Sequence, residues 1–286
     1  MLIDFKTFYS RLDNIRHLPT LPTIVSEVNG LLQDSDTTLE ILCRTIEKDQ
    51  AIVSKLLSLV NSAFYGFQSK VDSLSNALVL LGFNTIRNAI LSLSIIESFS
   101  DVKDLEGFEI ADFWHHSLEV AVISRKIAEH AKAALPDSSF VAGLLHDTGK
   151  VLMLASFQDL FRQIWQSVRR DNLTFLEAEK RLLPVQHPMI GAYLAKKWQL
   201  PSDLIQAVKY HHAPQLKSEE NKMQMVIYLA DRIVNSSSET QVVADQLDLD
   251  IDTVPWAAAL MDSLAEWYPP LQAEVESACA FFFANN

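Results

Sequence analysis

Glycine is scarce in this chain, with 7 glycines among 286 residues, whereas about 7% of residues is usual. Proteins built of β-sheets use glycine in hairpin turns and bulges, so its scarcity favours helices joined by short polar loops. The apolar residues make up 49% of the chain, and in most segments they recur every three or four residues, as on one face of a helix. The sequence therefore predicts an all-α fold with a substantial apolar core.

The net charge of −12 is distributed unevenly along the chain. Residues 106–235 carry 15 basic and 15 acidic side chains, whereas residues 236–286 carry nine acidic and no basic ones. Because nucleic acids bind to basic surfaces, this charge pattern argues against a nucleic-acid polymer as a partner.

Membrane and secretory segments are not apparent in the sequence. The most apolar window, residues 77–96, contains Asn84 and Arg87, whereas a bilayer-spanning helix has about 20 nearly uncharged residues. The N-terminus does not show the basic and then apolar segments of a secretory signal. We therefore expect a soluble, cytoplasmic protein without membrane contact. We also expect the two distant cysteines, Cys43 and Cys279, to be buried free thiols.

The chain divides into three parts by composition. A polar, acidic stretch at residues 100–109 separates an N-terminal helical half, residues 1–105, from a second helical half, residues 106–235. Residues 236–286 form an acidic helical extension. Apolar residues recur along this extension at helical spacing: Trp256, Leu260, Leu264, Trp267 and Leu271. Such a stripe favours docking on the main body over binding to a partner.

Helix boundaries are marked by local signals in the first half. Thr37-Thr38-Leu39-Glu40 has the serine/threonine-x-x-glutamate pattern of a capping box and predicts a helix start. Gly82 is predicted to end a helix that begins near Leu74. This half brings no titratable side chains together, which is typical of a helical scaffold or a recognition module.

Seven of the eight histidines lie beyond residue 110, and several occur beside carboxylates. Asp112 and His116 are four residues apart and share one face of a helix. His187 precedes a proline at a helix start, and Asp231 lies in an otherwise apolar helical segment. Each residue alone is weak evidence for a metal, because a buried histidine with one ordinary hydrogen-bond partner is commoner than a histidine ligand.

Two adjacent pairs, His146-Asp147 and His211-His212, follow apolar helices. Neighbouring residues of a helix diverge by about 100°, so both members of a pair can face one cavity only where the helix ends. Gly149 is predicted to supply that end for the first pair, and Pro214 for the second.

Burying so many titratable groups without compensation costs several kcal/mol each, and a metal ion supplies compensation. Imidazole and carboxylate ligands without thiolates suit Fe, Mn, Zn or Mg. The sequence therefore predicts a divalent metal site with one or two ions. The alternative is a hydrogen-bonded network that stabilises the core without metal.

These motifs resemble, in order and spacing, the HD superfamily of helical metal-dependent phosphohydrolases. The resemblance depends on H-S-L-E-V-A at 116–121, L-L-H-D-T-G-K at 144–150, His187-Pro188, His211-His212 and Asp231. More narrowly, the chain resembles HDOD proteins, the HD-related output domains of bacterial signalling. That likeness depends on L-P-T-L-P at 18–22, I-E-K-D-Q at 46–50, L-L-S-L-V-N-S-A-F-Y-G at 56–66, A-L-V-L-L-G at 77–82 and W-Q-L-P at 198–201.

The resemblance implies an HD-domain-like fold with an N-terminal helical subdomain, and it implies roles for individual residues. The first metal would be held by His116, His146, Asp147 and Asp231. His187, His211 and His212 would extend the site to a second metal, and Asp112 stands where a related branch has glutamate. In a catalytically active member, Asp147 would bridge metals or orient water, and Lys150 would lie near the substrate phosphate.

The resemblance leaves two functions open. The first is a signal-transduction protein that binds a signalling protein partner or a nucleotide ligand. The alternative is a metal-dependent phosphohydrolase acting on a phosphoester or nucleotide. Cyclic-di-nucleotide phosphodiesterases of the HD type have a glutamate and a Gly-Tyr-Pro segment after the histidine pair. Ala213-Pro214-Gln215 stands there instead, which argues against that activity.

Overall fold

The structure, a computed structural model, describes residues 4–15, 18–33, 36–62, 64–132, 134–215, 221–236 and 255–284. These residues are helical apart from their connections, and one isolated bridge joins Leu105 to Phe108. The predicted all-α fold is confirmed.

The helices of the N-terminal part are α1 (Phe5–Asp13), α2 (Thr23–Gln33), α3 (Leu39–Ile46), α4 (Gln50–Val60) and α5 (Leu74–Glu97). The next eight are α6 (Ile110–Ala131), α7 (Pro136–Leu145), α8 (Thr148–Ser156), α9 (Gln158–Asp171), α10 (Phe175–Leu182), α11 (His187–Lys197), α12 (Ser202–Tyr210) and α13 (Lys222–Ser236). The C-terminal helices are α14 (Pro255–Asp262), α15 (Leu264–Trp267) and α16 (Leu271–Ala284). Their apolar faces form one continuous core, in which α6, α7 and α13 pack together.

The start of α3 differs from the predicted capping box. The N-cap is Thr38, whose hydroxyl accepts a hydrogen bond from the Ile41 amide. Glu40 is therefore too close to the cap to complete a box, and it pairs with Arg44 one turn later at 2.6 Å. A complete capping box occurs instead at the start of α10. The Thr174 hydroxyl accepts a hydrogen bond from the Glu177 amide, and the Glu177 carboxylate accepts one from the Thr174 amide.

Gly82 breaks α5 as predicted. Its backbone has φ 81° and ψ 167°, a conformation that is essentially restricted to glycine. The break lies inside a 24-residue apolar helix that is long enough to cross a membrane by length and composition. Residues on both sides of the break, such as Leu78 and Ile90, are buried against other helices, so α5 is a bent helix of the protein core.

We expect Gly82→Ala to lower the free energy of unfolding by about 1–3 kcal/mol, the cost of holding a side-chain-bearing residue in this conformation. A methyl group at this position meets no other atom within 4 Å, so the loss arises from backbone strain alone. Urea denaturation of the two proteins measures it, and equal midpoints with equal slopes would contradict the assigned backbone conformation.

The apolar stretch at residues 151–168 lies in two helices, α8 and α9. Phe157 leaves the helical conformation, with φ −137° and ψ 49°, and α9 departs at 119° from the direction of the preceding helices. The ring of Phe157 packs against Phe8 of α1 at 5.6 Å between centroids. The bend therefore coincides with a contact from the N-terminal helix that the local sequence pattern does not reveal.

The C-terminal helices dock on the main body, which confirms the interpretation of the apolar stripe. Helices α14 and α16 pack against α6, and Leu260, Trp267 and Leu271 are buried. The Trp267 ring lies 5.9 Å from that of His130 on α6. Trp256 is half-buried, while the side chain of Leu264 and residues 237–254 lie outside the described part of the chain. Cys43 and Cys279 are both free and buried, as predicted.

Candidate metal centre

Six helices bring histidine and aspartate side chains to one buried place. His116 lies within α6, and Asp231 lies within α13. The others stand at helix ends: His146 and Asp147 between α7 and α8, His187 at the first residue of α11, and His211 and His212 directly after α12. The predicted convergence of adjacent pairs at helix ends therefore occurs.

The cause of the turn at His146-Asp147 differs from the prediction. Gly149 does not end a helix, because it lies in the first turn of α8. It is needed for close packing instead: a methyl group there would collide with the carbonyl oxygen of His187 and lie 2.8 Å from the amide of Gly191. Asp147 itself, with φ −102° and ψ 3°, is the residue that leaves the helical path between α7 and α8.

Two of the histidines are anchored by backbone carbonyl groups. The Nδ1 atom of His146 lies 2.7 Å from the carbonyl oxygen of Gly143, and that of His211 lies 2.7 Å from the carbonyl oxygen of Val208. Because a carbonyl oxygen can only accept, Nδ1 must carry the proton in each contact. In the neutral ring Nε2 then has a free lone pair, as a metal ligand requires.

His187 is anchored by a residue that the sequence analysis missed, Glu179 on α10. One carboxylate oxygen of Glu179 accepts a hydrogen bond from the His187 backbone amide at 2.9 Å, and the other lies 2.6 Å from His187 Nδ1. Both side chains are fully buried. A signal was present in the sequence, since Glu179 lies four residues after Phe175 on the face of α10 that includes Ala178, where an apolar residue is usual.

Asp147, His187, His211 and His212 form the first group of potential ligands, with all four ligand atoms within 4.8 Å of one another. His187 Nε2 lies 3.1 Å from Asp147 Oδ1, and His211 Nε2 lies 3.6 Å from the same oxygen. The Nε2 atoms of His187 and His211 are 3.3 Å apart. Both rings donate through Nδ1, so in their neutral forms two lone pairs face each other, an arrangement that a shared cation stabilises.

His116, His146 and Asp231 form the second group, also with ligand atoms within 4.8 Å of one another. Asp231 Oδ1 lies 3.3 Å from His116 Nε2 and 3.6 Å from His146 Nε2. Asp147 also reaches this group, because its Oδ2 lies 3.3 Å from His146 Nε2 and 3.8 Å from His116 Nε2. Asp147 thus directs one carboxylate oxygen to each group.

The residues fit a metal in their chemistry as well as in their spacing. His146 Nε2 and Asp147 Oδ1 are buried and have no hydrogen-bond partner among the described residues. Native proteins rarely leave buried polar atoms unpaired. Imidazole nitrogens and carboxylate oxygens together are a ligand set for Fe, Mn or Zn.

In the protein alone, His211, His212, Asp147 and Asp231 already have the protonation states of metal ligands, whereas His146 would have to lose a proton to bind a metal. Burial lowers the pKa of His211 to about 4 and that of His212 to about 2, so both rings are neutral at pH 7. Burial opposes ionisation of Asp147 and Asp231, but neighbouring cationic and hydrogen-bonding groups outweigh it and hold the pKa of both carboxyls well below the usual range. Burial also lowers the pKa of His146, while Asp147 and Asp231 raise it more strongly, to about 10.

A model of the HDOD domain family matches residues 18–214, which is more than half of the chain. The chain belongs to the HDOD family. This match covers α2 to α5 and the ligands from His116 to His212, while α1, Asp231 and the C-terminal helices lie outside it.

Solved structures share the fold of this HDOD protein. An HDOD domain protein of unknown function from Geobacter sulfurreducens is 26% identical, with a TM-score of 0.76 and 99% of each chain covered. A "Putative phosphohydrolase" from Shewanella amazonensis SB2B is 23% identical, with a TM-score of 0.74 and 96% and 98% covered. A "Putative signal transduction protein" from Marinobacter aquaeolei VT8 is 19% identical, with a TM-score of 0.73 and 96% and 65% covered.

A curated relative from Treponema pallidum (strain Nichols), an uncharacterized protein, is 26% identical over 211 residues. The alignment covers 73% of this chain and 40% of the relative. The HDOD chain therefore spans less than half the length of that protein.

Asp112 and Lys150 are the two residues of the predicted site that belong to neither ligand group. Asp112 is exposed on the first turn of α6 and belongs to neither ligand group. The expected pairing with His116 does not bring it to the site, because Asp147 and Asp231 already face His116 from the other helices. Lys150 lies at the site: its Nζ donates to Asp147 Oδ2 at 2.5 Å and lies 5.3 Å from the centre of the Phe175 ring.

Proposed function

We propose that this HDOD protein is a metal-binding signal-transduction protein. The observation that supports this most directly is the pair of ligand groups joined by Asp147, in which every predicted ligand except Asp112 takes part. His187, His211 and His212 would hold one divalent ion with Asp147, and His116, His146 and Asp231 would hold the second. When bound, the ions supply Lewis acidity and positive charge.

Restricted access to the site favours a regulatory role. His116 and His212 are the most accessible ligands, with 25% and 29% of their side chains exposed, whereas Asp231 is 6% exposed and Asp147 is 2% exposed. These two histidines therefore form the most accessible edge of the ligand groups. A ligand that carries an anionic group, such as a nucleotide, would contact the site at this edge.

Apolar side chains on the surface of the N-terminal part favour a protein partner. Val79 is 70% exposed and Leu80 is 56% exposed on α5, and Ile41 and Phe67 are also exposed. Val79 and Leu80 are neighbours on α5, and grouped apolar side chains at a surface are typical of interaction sites. These residues belong to the part of the HDOD match that contains no ligand of the metal centre.

Metal analysis of protein purified without a metal-affinity column tests the proposal. We expect two equivalents of a divalent transition metal, and we expect the loaded protein to bind nucleotides or cyclic nucleotides in calorimetric titrations without converting them. Protein that contains no metal and takes up none from Mn²⁺, Fe²⁺ or Zn²⁺ would contradict the metal site and favour a hydrogen-bonded polar network.

A second candidate function, phosphohydrolysis, is favoured by the position of Lys150. Its ammonium group contacts Asp147, and 18% of its side chain is exposed, so it lies between the ligand groups and the surface. In this position it could balance negative charge on a phosphoryl group. Hydrolysis of a generic phosphodiester that requires added Mn²⁺ and disappears in Asp147→Asn would establish this function in place of a purely regulatory one. Turnover unchanged by that substitution would exclude the site as its source.

A further inference from the structure

Glu179 lies outside the sequence motifs and outside both ligand groups, but its contacts point to a role at the site. The carboxylate is fully buried in α10, on the side of His187 that faces away from Asp147. A buried carboxylate costs several kcal/mol unless it is paired and hydrogen-bonded. Both oxygens of Glu179 are used for the same residue, His187.

The first oxygen of Glu179 fixes the backbone of His187. His187 is the first residue of α11, and the first amides of a helix have no partner within that helix. The amide of His187 donates to Glu179 Oε1 at 2.9 Å. A negative charge beside this helix start is also favourable, so Glu179 acts as a cap supplied by another helix.

The second oxygen fixes the ring of the same residue. Glu179 Oε2 lies 2.6 Å from His187 Nδ1, and a carboxylate can only accept, so Nδ1 carries a proton. Nε2 is on the opposite side of the ring, 3.1 Å from Asp147 Oδ1 and 3.3 Å from His211 Nε2. The two contacts together define both the orientation of the ring and the nitrogen that is available to a ligand.

We propose that Glu179 is the positioning residue of the group formed by Asp147, His187, His211 and His212. It holds His187 with Nε2 directed at that group, and it sets the metal affinity there without binding the metal itself. The effect of Glu179 on metal affinity rests on the proposed metal-binding function. Its effect on the tautomer of His187 is present in the metal-free protein as well.

Glutamine at this position tests the idea sharply, because it has nearly the same shape as glutamate but only one acceptor. If its oxygen accepts from the His187 amide, its NH₂ group faces Nδ1 and favours the tautomer with the proton on Nε2. If the amide is turned over, its NH₂ group faces the His187 amide, where two donors oppose each other. In either arrangement Glu179→Gln weakens one of the two contacts.

The first measurement is ¹⁵N NMR of the histidine rings in the metal-free protein. We expect His187 to be protonated at Nδ1 in the wild type and to shift towards the Nε2-protonated form in Glu179→Gln. Glu177→Gln is the matched control: Glu177 is on the same helix, is exposed, and belongs to the capping box with Thr174, a role that glutamine also fills. Because the glutamine must weaken one of the two contacts, a folded Glu179→Gln in which both the His187 tautomer and the chemical shift of the His187 backbone amide are unchanged would overturn the proposal.

The second measurement is calorimetric titration with Zn²⁺ alone. We expect Glu179→Gln to weaken one of the two equivalents by about 10–100-fold, as is usual when the partner of a ligating histidine is lost, and to leave the other unchanged. In a His187→Ala background the same substitution should have no further effect. An equal loss in both backgrounds would show that Glu179 acts through general stability and would overturn the positioning role.

Glu179→Asp covers the case in which the glutamine variant does not fold. Aspartate keeps two acceptor oxygens on a shorter side chain, so we expect the Nδ1-protonated form of His187 to persist, with Zn²⁺ affinity between those of the wild type and His187→Ala. A folded aspartate variant with His187 protonated at Nε2 would contradict the proposal. If the wild type binds no Zn²⁺, the metal-binding function fails, and the tautomer measurement still decides the role of Glu179.

Discussion

Asp147→Asn is expected to abolish tight metal binding at both ligand groups, with a loss of more than about 100-fold in affinity, beyond the loss typical of a residue that only supports a ligand. Asp147 directs one oxygen closely to each group: Oδ1 lies 3.1 Å from His187 Nε2, and Oδ2 lies 3.3 Å from His146 Nε2. Asparagine removes the negative charge and replaces one of these oxygens with an NH₂ donor. Whichever way the asparagine amide is turned, its NH₂ group faces the Nε2 atom of His187 or of His146.

Elemental analysis and Zn²⁺ titration of the purified variant measure this effect. Asp112→Asn is the matched control, because Asp112 is exposed on α6 and belongs to neither group. We expect it to retain both equivalents with unchanged affinity. Full occupancy in Asp147→Asn would mean that the two groups do not share a carboxylate. A loss of bound metal in Asp112→Asn would mean that Asp112 is a ligand, as the sequence predicts, although the structure places it outside both groups.

The ligand groups could be predicted from sequence where the chain itself forces side chains together. His146-Asp147 and His211-His212 are adjacent and stand at helix ends, so each pair needs little tertiary information to face one cavity. Asp112 shows the limit of this reasoning. Spacing of four residues places it on the same side of α6 as His116, but the packing of α13 and of the turn before α8 decides which carboxylate meets His116.

Glu179 shows a different limit. It is separated from His187 by eight residues and by a change of helix, and the segment around it, L-E-A-E-K-R, has the charge pattern of an ordinary exposed helix. Only its position on the apolar face of α10 distinguishes it from Glu177 two residues earlier. Which of the two glutamates is buried follows from how α10 packs over the start of α11, and the single sequence does not determine that packing.

Gly149→Ala is expected to lower the free energy of unfolding by about 3 kcal/mol or more, at the upper end of the cost of overpacking. A methyl group at Gly149 would collide with the His187 carbonyl oxygen and lie 2.8 Å from the Gly191 amide. Both obstacles are backbone atoms of α11, which cannot turn aside as a side chain can, so α8 and α11 must separate. Because His187 is itself a predicted ligand, the same separation should weaken metal binding at its group.

Gly30→Ala is the matched control, with an expected effect of the opposite sign. Gly30 is exposed inside α2, and a methyl group there meets no atom within 4 Å. Alanine is favoured over glycine in a helix interior by about 1 kcal/mol, so this variant should be more stable than the wild type. Urea denaturation of the three proteins measures both changes. A neutral Gly149→Ala beside a stabilised Gly30→Ala would show that α8 and α11 are not in backbone contact, and the position of His187 relative to Asp147 would then have to be revised.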